Sequence, residues 1–282
     1  MFKTPFSSLS DDPFYLIVDG SVIDNVGAQI CLLDAKAEAY ALFSHTDYEE
    51  LLPASPWIVQ CTKQTETLFQ WLEQHQYFSN AAWLCQSAYP MERLVAHFKS
   101  LLIVDVYGQD TFFRFSDPRV MYALAHEHSQ QQILSVIAPF SALWFKSYQR
   151  WVSVDIKKQR ESSLTKYVVS DRDIEIFQWV ANKRMTERLD EYIKEKYPHW
   201  HTLNPKINAQ QVIAAAGDHG ITTEKGVYLY TSILGVIGQR ALQENHYPQL
   251  LLLLTTPSLY TAEQRVEKAA MMVQQHHKGI TS

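Results

Sequence analysis

Glycine is scarce in this chain: nine residues in 282, about 3% where soluble proteins average about 7%. Loops that cradle phosphates need backbone free of Cβ atoms, so the scarcity counts against them. Their motifs are missing as well. There is no Gly-x-Gly-x-x-Gly, no Walker loop and no Gly-x-Ser-x-Gly elbow. Cysteine is nearly as rare. Cys31, Cys61 and Cys85 include no Cys-x-x-Cys pair and cannot build a disulfide framework. Their apolar surroundings, such as Trp83-Leu84-Cys85, predict small buried side chains.

Long apolar runs are absent too. The longest, Leu250–Leu254 among them, has five residues, far short of the ~18–20 of a membrane helix. Lys3 leads into a polar Ser7–Asp12 stretch rather than an apolar export segment. These features predict a soluble, cytoplasmic protein. Basic charge is also limited, 25 Lys+Arg against 30 Asp+Glu, which excludes a general nucleic-acid or acidic-lipid binder. The deficit is uneven. Residues 1–150 carry 9 basic and 16 acidic side chains, and residues 151–282 carry 16 and 14.

What the chain does have is core-forming material: 46% hydrophobic and 12% aromatic residues, over a length that suits two lobes. Strand-like runs occur at Phe14–Val18, Tyr40–Ser44, Trp57–Cys61, Ala81–Gln86 and Thr111–Phe115. Phe140–Phe145 and Arg150–Ile156 read as a closing hairpin. Helical spacing falls between them, at a stretch through Cys31-Leu32-Leu33 and at Thr65–His75 and Met91–Leu102. Another helix starts at Asp117-Pro118 and is expected to reach about Ile137.

After about residue 160 the pattern is helical throughout. A capping box at Ser170–Asp173 opens a long helix. Asn208–Ala216 is a short helix ended by Gly217, Thr223–Glu244 a nearly all-apolar one, and Thr261–Gln264 the cap of the last. The expected fold class is an α/β N-terminal lobe with a mixed β-sheet flanked by helices, residues 1–157. An all-α C-terminal lobe follows at 158–282.

Candidate chemistry is thin. Asp19-Gly20 follows a strand as in aspartate-nucleophile phosphatases, but Ile17 occupies the nucleophile position, so the pair reads as a turn. His126-Glu127-His128-Ser129-Gln130 misses the zinc-protease helix motif because Gln130 replaces the second histidine. Two histidines at i, i+2 face different sides, so this reads as a solvated helix face. His199, His201, His276 and His277 lack a third ligand at useful spacing, and Gly217-Asp218-His219-Gly220 fits a helix cap and loop. No catalytic residue, metal or cofactor is expected.

The charged groups that stand out lie at Phe112-Phe113-Arg114-Phe115-Ser116-Asp117-Pro118-Arg119, with Asp117 as a helix cap. Arg114 and Arg119 either pair with Asp117 or another nearby carboxylate and lock the corner, or offer guanidinium donors to a partner.

That string carries a resemblance. Arg-Phe-x-Asp-Pro-Arg-Val follows Tyr107-Gly108 and precedes a helix and Ala138-Pro139-Phe140. Together with Tyr15–Gly20, Ala41-Leu42-Phe43, Pro56–Val59 and the Leu94–Leu102 helix, it resembles the type VI secretion effector-adaptor (effector chaperone) family over about residues 14–145. Ser116 departs from the aromatic residue common in that family, and Ala138 from its glycine. The resemblance implies a cytoplasmic, non-enzymatic adaptor with two protein partners. It would hold a secreted effector and load it onto the valine-glycine-repeat (VgrG) spike. Arg114, Asp117, Arg119 and Asp19 are then the candidate partner-binding residues. The alternative reading is a hydrolase or transferase with a site around Asp19 and Arg114, since α/β folds bind ligands at strand ends. An immunity protein or a structural subunit of the apparatus is a third.

Overall fold

The computed structural model describes residues 12–62, 65–147, 150–157, 167–204, 207–244, 246–256 and 258–280. The chain divides into two compact units, Met1–Val180 and Ala181–Ser282. The fold class is the one expected: a helix-flanked sheet in the N-terminal part and helices alone after residue 170.

The first unit is built on six strands: β1 (Phe14–Asp19), β2 (Ala39–Ala41), β3 (Pro56–Gln60), β4 (Ala82–Gln86), β7 (Ala142–Ser147) and β8 (Arg150–Asp155). They are ordered β2-β3-β1-β4-β7-β8, and each described ladder pairing is antiparallel. β1 sits inside the sheet, with Ile17 opposite Ile58 on β3 and Trp83 on β4. Alternation sends its side chains to opposite faces. Tyr15 and Ile17 enter one core with Ile58, Trp83 and Phe145; Leu16 and Val18 enter another with Val59, Leu84 and Trp144. Both faces are covered, which is why β1 reads as an unbroken apolar run. β8, at the end of the sheet, alternates exposed and half-buried residues instead.

Helix α1 (Val26–Leu33) and α2 (Glu66–Gln74) cover the second of these faces through Val26, Ile30, Leu68 and Leu72. Asp34, just past α1, accepts the Leu68 amide at 2.7 Å and so caps α2 from another segment. The first face is covered by α3 (Met91–Leu101), α4 (Pro118–Glu127) and α5 (Leu134–Ile137). A separate ribbon, β5 (Ile103–Val106) with β6 (Gln109–Phe112), lies between α3 and α4 in sequence. The expected strand at Thr111–Phe115 is thus shifted to Gln109–Phe112, and β5 is a strand the sequence pattern did not reveal. Tyr167–Val169 extends the ribbon by bridging Asp105. The long helix α6 (Asp171–Lys196) then begins in this core with Ile176 and Val180.

Four other details depart from expectation. The helix after Pro118 does not run to Ile137. It stops at His128, which is extended and buried, its Nε2 2.7 Å from Asp173 Oδ1 though off the line of a hydrogen bond. His128 is therefore not on a solvated face; it ties the end of α4 to the first turn of α6. Cys31 is exposed and Cys61 half-buried; Cys85 alone of the three is buried. Gly217 lies within α8 (Ala209–Asp218), and the positive φ that ends the segment belongs to Gly220. The Thr223–Glu244 stretch is two helices, α9 (Glu224–Ile237) and α10 (Gln239–Gln243), broken where Gly238 takes φ 77 and ψ 153. That conformation is almost confined to glycine. Gly235 serves the close packing expected of it, since a Cβ there would meet the Tyr197 ring at 2.4 Å.

The second unit buries Leu189, Ile193, Val212, Val227, Leu234 and Val266 in its own core. It also contains α7 (Trp200–Leu203), α11 (Pro248–Thr255) and α12 (Ala262–Ile280). Both expected capping boxes form, Ser170 with Asp173 and Thr261 with Gln264. No described helix is long and apolar enough to cross a membrane.

His97 on α3 is a buried titratable group away from the corner. Its Nε2 donates to the Val136 carbonyl at 2.9 Å, and burial lowers its pKa to about 4. The unfolded chain gains a proton near pH 6.5 that the folded chain refuses until about pH 4. His97 therefore leaves stability intact above pH 6.5 and withdraws it as pH falls, at up to about 1.4 kcal/mol per unit. Denaturant titrations between pH 7 and 4.5 should show His97→Gln losing markedly less stability than the parent. Parallel pH profiles would contradict this assignment.

Candidate functional site

The run of β1 ends at a buried carboxylate. Asp19 is 2% exposed, its amide bonded to the Ala81 carbonyl at 2.7 Å and its own carbonyl accepting from Val22 and Ile23. Oδ1 accepts from the Ser21 amide at 2.9 Å and from Ser21 Oγ at 2.6 Å. Oδ2 accepts from Arg114 Nη2 at 3.1 Å, and the same nitrogen donates to Ser21 Oγ. Gly20 allows the turn because a Cβ there would lie 2.2 Å from the Ser55 carbonyl oxygen.

Arg114 is aimed by its neighbours. Phe113 and Phe115 are buried; Phe115 stacks on Phe98 at 5.1 Å between centroids, and its carbonyl accepts Trp83 Nε1 at 3.0 Å. Alternation then turns Arg114 the other way, where its side chain keeps 46% of its surface exposed while reaching Asp19. The end of the central strand is thereby fastened to the strand–helix junction.

Asp117 is the cap its position predicts. Its Oδ1 accepts the Arg119 amide at 3.0 Å, Pro118 occupies the first turn, and Val120 and Met121 donate to its carbonyl. Arg119 folds back on the same carboxylate with both prongs, Nε to Oδ1 and Nη2 to Oδ2, each at 3.0 Å. The four expected residues thus form two pairs, Asp19 with Arg114 and Asp117 with Arg119. Ser21, the second partner of Asp19, was missed by reading the sequence, although Asp-x-Ser is a recognisable side-chain turn signal.

Chemically, the corner holds carboxylates against donors. Asp19 and Asp117 are each engaged by hydroxyl, amide or guanidinium groups, an arrangement that fixes backbone and presents positive charge. Among the described residues, no three or more His, Cys, Asp or Glu side chains are grouped to hold a metal. The side chains of His276 and His277 lie outside that description.

The family model of a domain of unknown function, DUF4123, matches residues 14–134. The match covers somewhat less than half of the chain. DUF4123 is a type VI secretion-associated domain, in agreement with the resemblance read from the corner. The match begins with β1 and ends at the start of α5, so the corner lies wholly inside the matched stretch, while β7 and β8 complete the sheet from beyond it. Over 277 residues, 96% of this chain and 90% of the relative, the sequence is 24% identical to a Vibrio cholerae serotype O1 (strain ATCC 39315 / El Tor Inaba N16961) protein named "Accessory protein VasW". That likeness extends through the helical half. No solved structure matches the chain.

Replacing Asp117 by Ala removes the cap and the two-pronged partner of Arg119 together. We expect a loss of about 1–2 kcal/mol in urea denaturation, with Asp117→Asn retaining part of it. A loss below about 0.3 kcal/mol would show that the cap contributes nothing.

Proposed function

We propose that this chain is a non-enzymatic cytoplasmic adaptor that binds a type VI secretion effector and loads it onto the VgrG spike. The observation that supports it most is the corner inside the stretch matched by the DUF4123 model. Its carboxylates are engaged in holding the fold, and the Arg114 side chain, bonded to Asp19, keeps nearly half of its surface exposed. Arginine presented on a rigid, buried base is a common anchor of protein interfaces, because little side-chain freedom is lost on binding. In this reading Asp19 and Asp117 position Arg114 and Arg119 toward a partner. Making or breaking bonds is not required of them.

The α/β lobe, with its acidic excess, and the nearly balanced helical lobe give two different surfaces, suited to two partners. A specific interface on either would bury about 1,200–2,000 Å². The alternative reading, a hydrolase or transferase at the strand ends, gains one supporting fact, the placement of Asp19 at the end of β1 beside Arg114. Against it, both oxygens of that carboxylate are already bonded.

The test is co-expression of the full chain with type VI effector and spike proteins, in parent, Arg114→Lys and Arg119→Lys forms, the second chosen so that the buried Asp117 keeps a cation beside it. Lysine keeps a charge beside Asp19 but lacks the planar fork. The parent should capture at least one partner, and the variants should lose about tenfold in affinity with little change in melting temperature. Undiminished capture by both variants would remove the corner from the interface. A parent that captures neither partner would overturn the adaptor reading.

A further inference from the structure

Among the described residues, nothing completes one edge of the sheet. β2 pairs, among the described residues, only with β3, and the register fixes which way its backbone faces. Leu42 N donates to the Pro56 carbonyl and Gln60 N to the Glu38 carbonyl, so residues 38, 40 and 42 face β3. The N–H and C=O of Ala39, and the N–H of Ala41, therefore point to the open side. The Ala41 carbonyl is taken by Ser44 N at 3.1 Å. An edge with unpaired groups is a template for another strand.

A groove runs along that edge. Its volume is ≈ 600 Å³, within the usual range for binding clefts, and its walls come from Val26–Ala28, Ala39–Ala41, His45, Pro53 and Trp57. Small residues form part of its lining. Ala39 and Ala41 bring only methyl groups, and at Gly27 a Cβ would strike the Trp57 ring at 2.5 Å. Leu51, beside the wall, is 49% exposed.

Charge decides what such a groove would accept. Asp24, Glu38, Asp47, Glu49 and Glu50 flank its lining residues in sequence and are exposed, and none forms an ion pair among the described residues. Nearby cations are fewer: exposed Lys36, and Lys99, which donates to the Ser44 carbonyl and lies over the Tyr40 ring; His45 is the one titratable base in the lining. The N-terminus of α1 adds about half a positive charge, too little to offset five carboxylates.

We propose that this groove is a docking site for an extended segment of a partner polypeptide. The segment adds a strand to β2 through Ala39 and Ala41, seats an apolar side chain beside Trp57, and sets lysine or arginine against the acidic rim. The mode is strand addition: backbone pairing gives affinity, and the groove and rim give selectivity. The inference rests on the reading of the chain as a binder of polypeptides and assigns where, and to what sequence chemistry, one contact is made.

The test uses the full chain and two labelled synthetic peptides, one alternating lysine with valine and phenylalanine, the other with glutamate in place of each lysine. The basic peptide should bind at least about tenfold more tightly by fluorescence anisotropy. Ala39→Pro removes only an outward N–H, a change that edge strands tolerate, and should weaken binding by about tenfold or more. The double change Glu49→Lys with Glu50→Lys should abolish the preference for lysine. Equal affinity for both peptides, no binding of the basic one up to about 1 mM, or indifference to both variants would overturn the assignment. So would a self-association of this chain that Ala39→Pro dissolves, which would give the edge to a second copy. Capture of the co-expressed secretion partners undiminished by Ala39→Pro, with peptide binding absent, sinks the groove and leaves the adaptor reading standing. Peptide binding with no capture of those partners does the reverse.

Discussion

A carboxylate buried at the end of a strand needs donors, and much of the first unit is arranged to supply them to Asp19. Leaving a buried charge without its partner costs several kcal/mol, more than most single contacts contribute. Ser21 answers one oxygen and Arg114 the other. Because Arg114 belongs to the segment between the β5–β6 ribbon and α4, this pair joins the central strand to a part of the chain 95 residues away. Trp83 reinforces the joint by donating to the next carbonyl along. The ribbon, the cap at Asp117 and α4 are positioned from that joint, and so is the partly exposed Arg114 side chain.

Much of the architecture could be read from residue order, for physical reasons that differ by element. β1 and β4 are buried on both faces and read as apolar runs; the hairpin of β7 and β8 and the two capping boxes announce themselves through alternation and through Ser, Thr and acid or amide spacing. The corner was legible because Asp-Pro is a strong helix start. What escaped depends on contacts between distant segments. The end of α4 is set by His128 meeting Asp173, and no local pattern encodes that. β5 is only four residues long and follows a helix directly, so its alternation has no room to show. The break at Gly238 could be seen only as a glycine inside an apolar helix, where close packing and a chain turn look alike. The partner of Asp19 hid in plain sequence, two residues away.

The sheet's two ends differ in a way that bears on function. At β8 the outward carbonyl of Asp155 is taken by the Gln130 side chain, a cover supplied by the chain itself. At β2 a strand of three residues, two of them alanine, borders an open groove whose lining residues have exposed acidic neighbours in the sequence. Exposed strand edges invite unwanted pairing, and proteins usually cover, charge or shorten them. Here the edge is short and its neighbours in sequence are acidic, which would discourage pairing with acidic segments and favour a basic one. Such discrimination suits a surface that accepts one kind of segment and refuses others.

We propose that the stretch matched by the DUF4123 model works through two surfaces, the Arg114–Arg119 corner and the β2 edge. Hydrogen exchange of the full chain, alone and in complex with its secretion partner, tests this directly. The account predicts slowed exchange on binding at residues 39–41 and 112–119, with the central strands already protected in both states. A stable complex whose protection falls elsewhere, leaving both segments exchanging as in the free chain, would contradict it.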